Sequence, residues 1–304
     1  MSIKNLFRKR KQMPLETAKL EACGEKLVGI CRQLLIHQSP LYRSHLHNLE
    51  NTSDMAINKM VFGYALERAA RKLDPKIIGN DFSKPTLCMV CIGEEYAKIV
   101  EVGTQTKFDY CKKHGYNLVI LDLLPYRYGR HPAWLRIPLM FRLMQMGHEH
   151  LFYLDADSLI TNPGILLEGF FDRLEKSDRH LMIAEDVFSL NTGSFFMRKT
   201  WQSLTLLDLI YESDAELKKN SWEQQALTDL VEKNPAVKSL LYLELNARLF
   251  NSMPFDPPLS PGLPSDCSAY AWQPGDFICH FAGTRGHAEL SLKLQKFHKM
   301  IPVI

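Results

Sequence analysis

The chain has 304 residues, 46% of them hydrophobic and 23% charged, and a formal net charge of +3. That length is enough for one large domain with an appendage, or for two modest domains, with a substantial core. A charge balance this slight gives no reason to expect a nucleic-acid partner.

No apolar run approaches the roughly 20 residues of a transmembrane helix, and the start lacks the uninterrupted apolar stretch of a secretion signal. The expectation is a cytoplasmic protein. Lys4, Arg8, Lys9, Arg10 and Lys11 crowd the first residues, interleaved with Ile3, Leu6 and Phe7. Such a segment suits either a solvated terminus or peripheral contact with an anionic membrane, here the inner face. The seven cysteines, Cys23, Cys31, Cys88, Cys91, Cys111, Cys267 and Cys279, form no disulfide framework and fit a reducing compartment. Cys88 and Cys91 have redox or zinc spacing. On a strand, however, residues three apart face opposite sides, so core packing is expected.

Along the chain, 15–36 and 55–73 carry apolar residues at helical spacing, interrupted by Pro40 and a polar stretch at 48–53. They predict a helical N-terminal extension over 1–82. The pattern then changes: a buried strand at 86–92, an amphipathic helix at 97–114, a strand at 116–121, a helix at 134–146 and a strand at 151–154. Further strands follow at 181–184, 194–197 and 277–281. Alternation of this kind indicates an α/β domain with a mainly parallel sheet, placed at 83–290, with a C-terminal helix or tail at 291–304. Ligands in such sheets gather outside the carboxyl ends of strands. The segments Gly93-Glu94-Glu95-Tyr96 and Asp155-Ala156-Asp157 are thereby expected at one crevice.

Asp155 and Asp157 stand two apart where an apolar strand ends, so both carboxylates can aim at one point. Mg²⁺ and Mn²⁺ take oxygen ligands and are commonly shared between carboxylates and a substrate's phosphates. Diphosphate chemistry follows as an expectation, against the alternative of ordinary turn acids.

Several motifs in order carry a family resemblance. They are His131-Pro132-Ala133-Trp134-Leu135-Arg136-Ile137-Pro138; Leu154-Asp155-Ala156-Asp157-Ser158; Leu190-Asn191-Thr192-Gly193-Ser194; Trp222-Glu223-Gln224-Gln225; and His280-Phe281-Ala282-Gly283. The stretch from 85 to 283 resembles the GT-A glycosyltransferases, in particular the α-galactosyl-, α-mannosyl- and α-xylosyltransferases of yeast and plant Golgi. The resemblance implies a GT-A fold, a Rossmann-like mixed sheet flanked by helices. It also implies a metal-dependent transfer of a hexosyl or pentosyl unit from a UDP- or GDP-sugar, with retention of configuration. A glycan, lipid-linked or other hydroxyl group would be the acceptor, and a bacterial-type enzyme of glycan biosynthesis is one form this takes.

The resemblance places Asp157 and His280 on Mn²⁺ or Mg²⁺, while Asp155 either shares the metal or holds the ribose and sugar hydroxyls, with Ala156 between the two acids against the donor. Arg136 stands where relatives commonly carry lysine, suited to a phosphate or to a sugar-proximal carboxylate. Arg285 is a second cation for the diphosphate. Gly193 and Gly283 permit close backbone approach, and Tyr96 offers a ring either to the base or to the core. Asn191, Glu223 and Gln224 are the catalytic candidates, near the sugar. The Asn191-Thr192-Gly193 segment is expected as a turn. Relatives commonly show Asp-Asp-Gln where this chain has Trp222-Glu223-Gln224, so one carboxylate is missing. Glu223 either stabilises the sugar ring's charge or acts as nucleophile in a double displacement. The aromatic-rich loop at 255–272 is a candidate acceptor face.

Two alternatives are a catalytically inactive GT-A-like binding protein and a haloacid dehalogenase-like phosphatase. The second is disfavoured by context: two strands and two helices precede Asp155, and Gly275-Asp276 lacks a second acid nearby.

Overall fold

The computed structural model describes residues 63–125, 128–186, 189–213, 222–254, 269–284 and 286–301. The basic start, the helix at 15–36, Cys23, Cys31, Cys267 and Arg285 lie outside the described residues. The 55–73 helix is described as α1 (Gly63–Arg71).

The elements then run β1 (Lys76–Ile78), β2 (Thr86–Val90), α2 (Glu94–Ile99), α3 (Glu101–His114), β3 (Asn117–Leu121), a 3-10 turn (Pro132–Leu135) and α4 (Arg136–Met146). The chain continues through β4 (His150–Leu154), β5 (Ser158–Ile160), α5 (Glu168–Lys176), β6 (Leu181–Glu185), β7 (Leu190–Arg198) and α6 (Trp201–Tyr211). Last come α7 (Trp222–Lys233), α8 (Pro235–Ser239), β8 (Leu241–Glu244), β9 (Ile278–His280) and α9 (His287–His298).

Local chemistry sets several boundaries. Gly115 and Gly147 take left-handed φ of 70° and 108° and end α3 and α4, a conformation glycine adopts without a Cβ penalty. Thr200 caps α6 by accepting from Ser203 N at 3.1 Å. The single helix expected at 97–114 is two, broken at Val100, whose ψ of 13° leaves helical geometry.

The main sheet has order β1-β3-β2-β4-β7-β6-β8. β2, β3, β4, β6 and β8 run one way, with β1 and β7 opposed. Alternation along the strands divides the core between two faces. Leu87, Met89, Phe152 and Leu154 pack under α2, α3, α5 and α9. Cys88, Leu151 and Tyr153 pack under α1, α4, α6 and α7. Cys88 and Cys91 sit in opposite layers, both buried. Burial pushes both thiols up, Cys91 to about 12, as expected of core cysteines.

A second, two-stranded sheet pairs β5 with β9 antiparallel, Ser158 opposite His280. The strands β1 and β8 extend the sheet at both edges beyond the expected set. The C-terminal helix begins at His287 rather than 291, with Leu290 and Leu294 in the core.

Candidate active site

β2 and β4 are parallel neighbours, so their carboxyl ends, followed by Gly93 and Asp155, open on one edge. β7 runs the other way and brings its first residues to that edge, with Leu154 opposite Ser194 and Asp155 N donating to Gly193 O at 2.7 Å. The expected turn at Asn191-Thr192-Gly193 is therefore strand. Its pairing with β6 jumps from Phe195 to Asn191, so the residues between are released from β6 and lean on the Asp155 loop.

β9 delivers His280 from the far end of the chain, held by Phe281 N donating to Asp157 O at 2.9 Å. The His280 Nε2 lies 3.7 Å from Asp155 Oδ2 and 3.6 Å from Asp157 Oδ1. The three ligand atoms fall within 4.8 Å of one another. His280 is buried, whereas the two aspartates keep 22% and 21% of their side-chain surface, enough to meet a ligand.

Asn251 sets the imidazole. Its Oδ1 lies 2.9 Å from His280 Nδ1. With Nδ1–H donating there, the lone pair of Nε2 faces the carboxylates, as a metal-ligating histidine requires. Gly193 supplies the space: a Cβ there would meet His280 Cε1 at 2.1 Å and Asp155 Oδ2 at 2.9 Å. Two carboxylates and one imidazole around a gap that only glycine leaves open fit a divalent cation.

The charges are interdependent. Burial pushes the Asp155 carboxyl above its ordinary value, against the pull of Arg136. Burial also pushes Asp157 upward, but His280 and Lys107 outweigh it and hold that carboxyl low. Burial disfavours charge on His280, yet Asp157 and then Asp155 hold its pKa above the usual imidazole value.

Arg136 opens α4 and is only 7% exposed. Its guanidinium pairs with Asp155 Oδ1 at 3.1 Å and Glu223 Oε1 at 3.2 Å, and donates to Thr192 O at 2.6 Å and Thr192 Oγ1 at 3.0 Å. It also lies 4.8 Å over the Tyr153 ring. Two of these partners, Asp155 and Glu223, are carboxylates.

Glu223, in the first turn of α7, is 2% exposed. Its Oε1 also accepts from Thr192 Oγ1 at 3.0 Å, while Oε2 is buried without a hydrogen-bond partner. Burial raises its pKa, against Arg136. Gln224 Oε1 accepts from Thr192 N at 3.2 Å. The Trp222 ring, before them, stacks on His131 at 3.8 Å and 3°, joining the helix of Glu223 to the turn preceding Arg136.

The remaining candidates are more peripheral. Asn191 Nδ2 donates to Asp186 Oδ2 at 2.8 Å, and its Oδ1 accepts from Gly193 N at 2.9 Å, so it shapes the strand entry. Tyr96 is half-buried, its hydroxyl pKa raised by burial and then by Asp157 and Asp155. Ala156 is 2% exposed, in the core. Gly283 is exposed with φ of 72°, a left-handed position. The stretch 255–268 of the expected acceptor loop lies outside the described residues; Tyr270 and Trp272 pack on the core.

Sequence reasoning missed Asn251, Tyr153 and Lys107. Tyr153 donates to Asp155 Oδ1 at 2.8 Å, and its strand position two before Asp155 was the available signal. Lys107 falls on the buried stripe of α3 with Gly103, Thr104, Tyr110 and Cys111, and a charge within an apolar stripe was the clue. Asn251 has no such signal.

Among solved structures, a glycosyltransferase involved in the glycosylation of the major capsid of PBCV-1 aligns with TM-score 0.55 at 16% identity, over 70% of this chain and 99% of that one. This likeness shows a shared GT-A fold. An uncharacterised α-1,2-galactosyltransferase of Schizosaccharomyces pombe is 26% identical over 64% of this chain and 58% of its own length. A probable α-1,6-mannosyltransferase of Saccharomyces cerevisiae is 28% identical over 62% of this chain and 56% of its own. A probable xyloglucan 6-xylosyltransferase of Arabidopsis thaliana is 32% identical over 41% and 28%. The chain thus spans a little over half the length of the two yeast relatives. The galactosyl transferase GMA12/MNN10 family matches residues 83–177 and 170–290, and the chain belongs to that family of glycosyltransferases.

Proposed function

We propose that this protein transfers a hexosyl or pentosyl unit from a UDP- or GDP-sugar to a hydroxyl of a glycan or lipid-linked acceptor, in a metal-dependent reaction that retains anomeric configuration. One observation carries the reading: Asp155, Asp157 and His280 converge within 4.8 Å at the carboxyl edge of the sheet, in a chain of this family. A bound Mn²⁺ or Mg²⁺ supplies neutralisation of the charge that grows on the departing diphosphate. Asp155, Asp157 and His280 would hold that ion. Arg136 holds Asp155 and Glu223 in register, and Gly193 keeps the backbone low enough for the ligand to approach.

The burial of Glu223, with Oε1 already engaged by Arg136 and Thr192, supports a front-side route. In that route the leaving phosphate accepts the acceptor's proton and Glu223 adds negative field beneath the sugar. It argues against direct attack by Glu223, which needs an accessible carboxylate. Residues 83–290 form the transferase domain in this reading, with 1–82 an extension whose basic start contacts a membrane face. Among the described residues, no helix is long and apolar enough to cross a membrane.

The test is donor hydrolysis without acceptor. A panel of nucleotide sugars with Mn²⁺ is expected to yield slow release of nucleoside diphosphate from one donor, abolished by Asp157→Ala. Failure to turn over any donor above that control refutes the reading and leaves a binding protein of GT-A fold.

A further inference from the structure

We propose that Lys107 is a positioning residue for the cation site: its ammonium pins the backbone on both sides of Asp157 so that the acidic pair faces one ion. The proposal rests on the metal-site reading above. Lys107 lies in α3, on the core side of the 155–158 turn, with no exposed surface. Its Nζ donates to Ser158 O at 2.6 Å, Ala156 O at 3.3 Å and Gly103 O at 3.4 Å. An ammonium has three protons, and all three are placed.

The helix approaches closely enough for this because Gly103 has no side chain. A Cβ there would meet Ser158 O at 2.6 Å and Ala156 O at 2.9 Å. The next residues complete the grip, as Ile160 N donates to Thr106 Oγ1 at 3.1 Å. One helical turn thereby fixes main-chain groups of residues 156, 158 and 160, with Asp157 between the two pinned carbonyls.

A buried lysine is costly, and burial draws its pKa down to about 7, with Asp157 the largest opposing influence. An apolar side chain would fill the volume at less cost. A bare positive charge near a cation site is repulsive, so if field alone mattered, removing Lys107 would tighten metal binding. The positioning role predicts the opposite sign.

Mn²⁺ is titrated into the full chain without nucleotide, following the free-ion EPR signal, for wild type, Lys107→Met, Lys107→Gln and Asp157→Ala, with thermal unfolding of each. Lys107→Met is expected to weaken Mn²⁺ at least about tenfold. Lys107→Gln, which keeps a donor without charge, is expected to lose less and to melt near wild type. Unchanged or tighter Mn²⁺ binding in folded Lys107→Met overturns the proposal, as does tighter binding in folded Lys107→Gln. So does failure of both variants to fold while Asp157→Ala folds, since the ammonium then serves the fold rather than the site. If Asp157→Ala binds Mn²⁺ like wild type, the metal reading itself fails, a result separate from any Lys107 outcome.

Discussion

Asn251 and His280, 29 positions apart in sequence, face each other with Asn251 Oδ1 2.9 Å from His280 Nδ1, which directs Nε2 at Asp155 and Asp157. Both residues are about 2% exposed, so water cannot substitute for the amide. Asn251→Ala is expected to weaken Mn²⁺ binding roughly 10–100-fold with little change in secondary structure. Asn251→Asp, which still accepts the proton, is expected to stay within several-fold of wild type. Calorimetric Mn²⁺ titration of both variants checks this, and equal losses in the two would show that orientation is not Asn251's role.

Gly193 tests the shape of the cation gap. The Cβ of Gly193→Ala would stand 2.1 Å from His280 Cε1 and 2.9 Å from Asp155 Oδ2, and both neighbours are ligand candidates. Overpacking of this kind costs about 1–3 kcal/mol. A lowered urea midpoint together with loss of Mn²⁺ binding is the expected pair of results. Retained binding would mean that β7 can withdraw from the site.

Arg136 sits between the half-buried Asp155 and the buried Glu223 and is expected to matter for stability as well as activity. Arg136→Met leaves Asp155 and Glu223 without their cation, at a cost of about 3–5 kcal/mol. Lysine is a poor substitute, since one ammonium cannot reproduce the guanidinium's set of contacts to Asp155, Glu223 and Thr192. Glu223→Gln keeps the shape and removes a charge whose burial raises its pKa, so its stability loss is expected to be smaller. Denaturant melts of the three variants order them, and a Glu223→Gln loss larger than that of Arg136→Met would contradict the arrangement.

The site also has a pH signature. His280 holds its proton above the usual imidazole value because Asp157 and Asp155 face it. In the metal-free protein that proton contributes stability below the unfolded imidazole pKa, and the contribution is lost as pH rises through the folded one. A metal needs the neutral ring, so binding must displace the proton. Mn²⁺ affinity is expected to fall roughly tenfold per unit as pH drops below the folded His280 pKa. Titrations in buffers of different ionisation enthalpy should show proton release near neutral pH, and none for His280→Ala.

The legibility of the fold differed by element. β2, β3 and β4 were readable because each is a short apolar run bounded by turn residues, and α4 because its apolar stripe is unbroken. The edge strands β1 and β8 were not, since Lys76–Ile78 and Leu241–Glu244 are half-buried and weakly patterned. Asn191-Thr192-Gly193 reads as a turn by composition. It is strand because Asn191 pairs with Ala184 of β6 and Gly193 O accepts from Asp155 N, partners that no local signal reveals.

By itself the sequence determined the alternating architecture, the acidic pair ending a strand, and the order of motifs that marks the family, because those depend on spacing within short segments. Only the tertiary structure decided who meets whom. It set Asn251 behind His280, Arg136 between Asp155 and Glu223, and Lys107 beneath the turn of Asp157. Those partners lie on different elements, and bringing them together depends on strand order, the release of β7 from β6 and the pairing of β5 with β9. Such long-range closures leave no periodicity in the chain, since their free energy comes from burial and complementary charge across the assembled core.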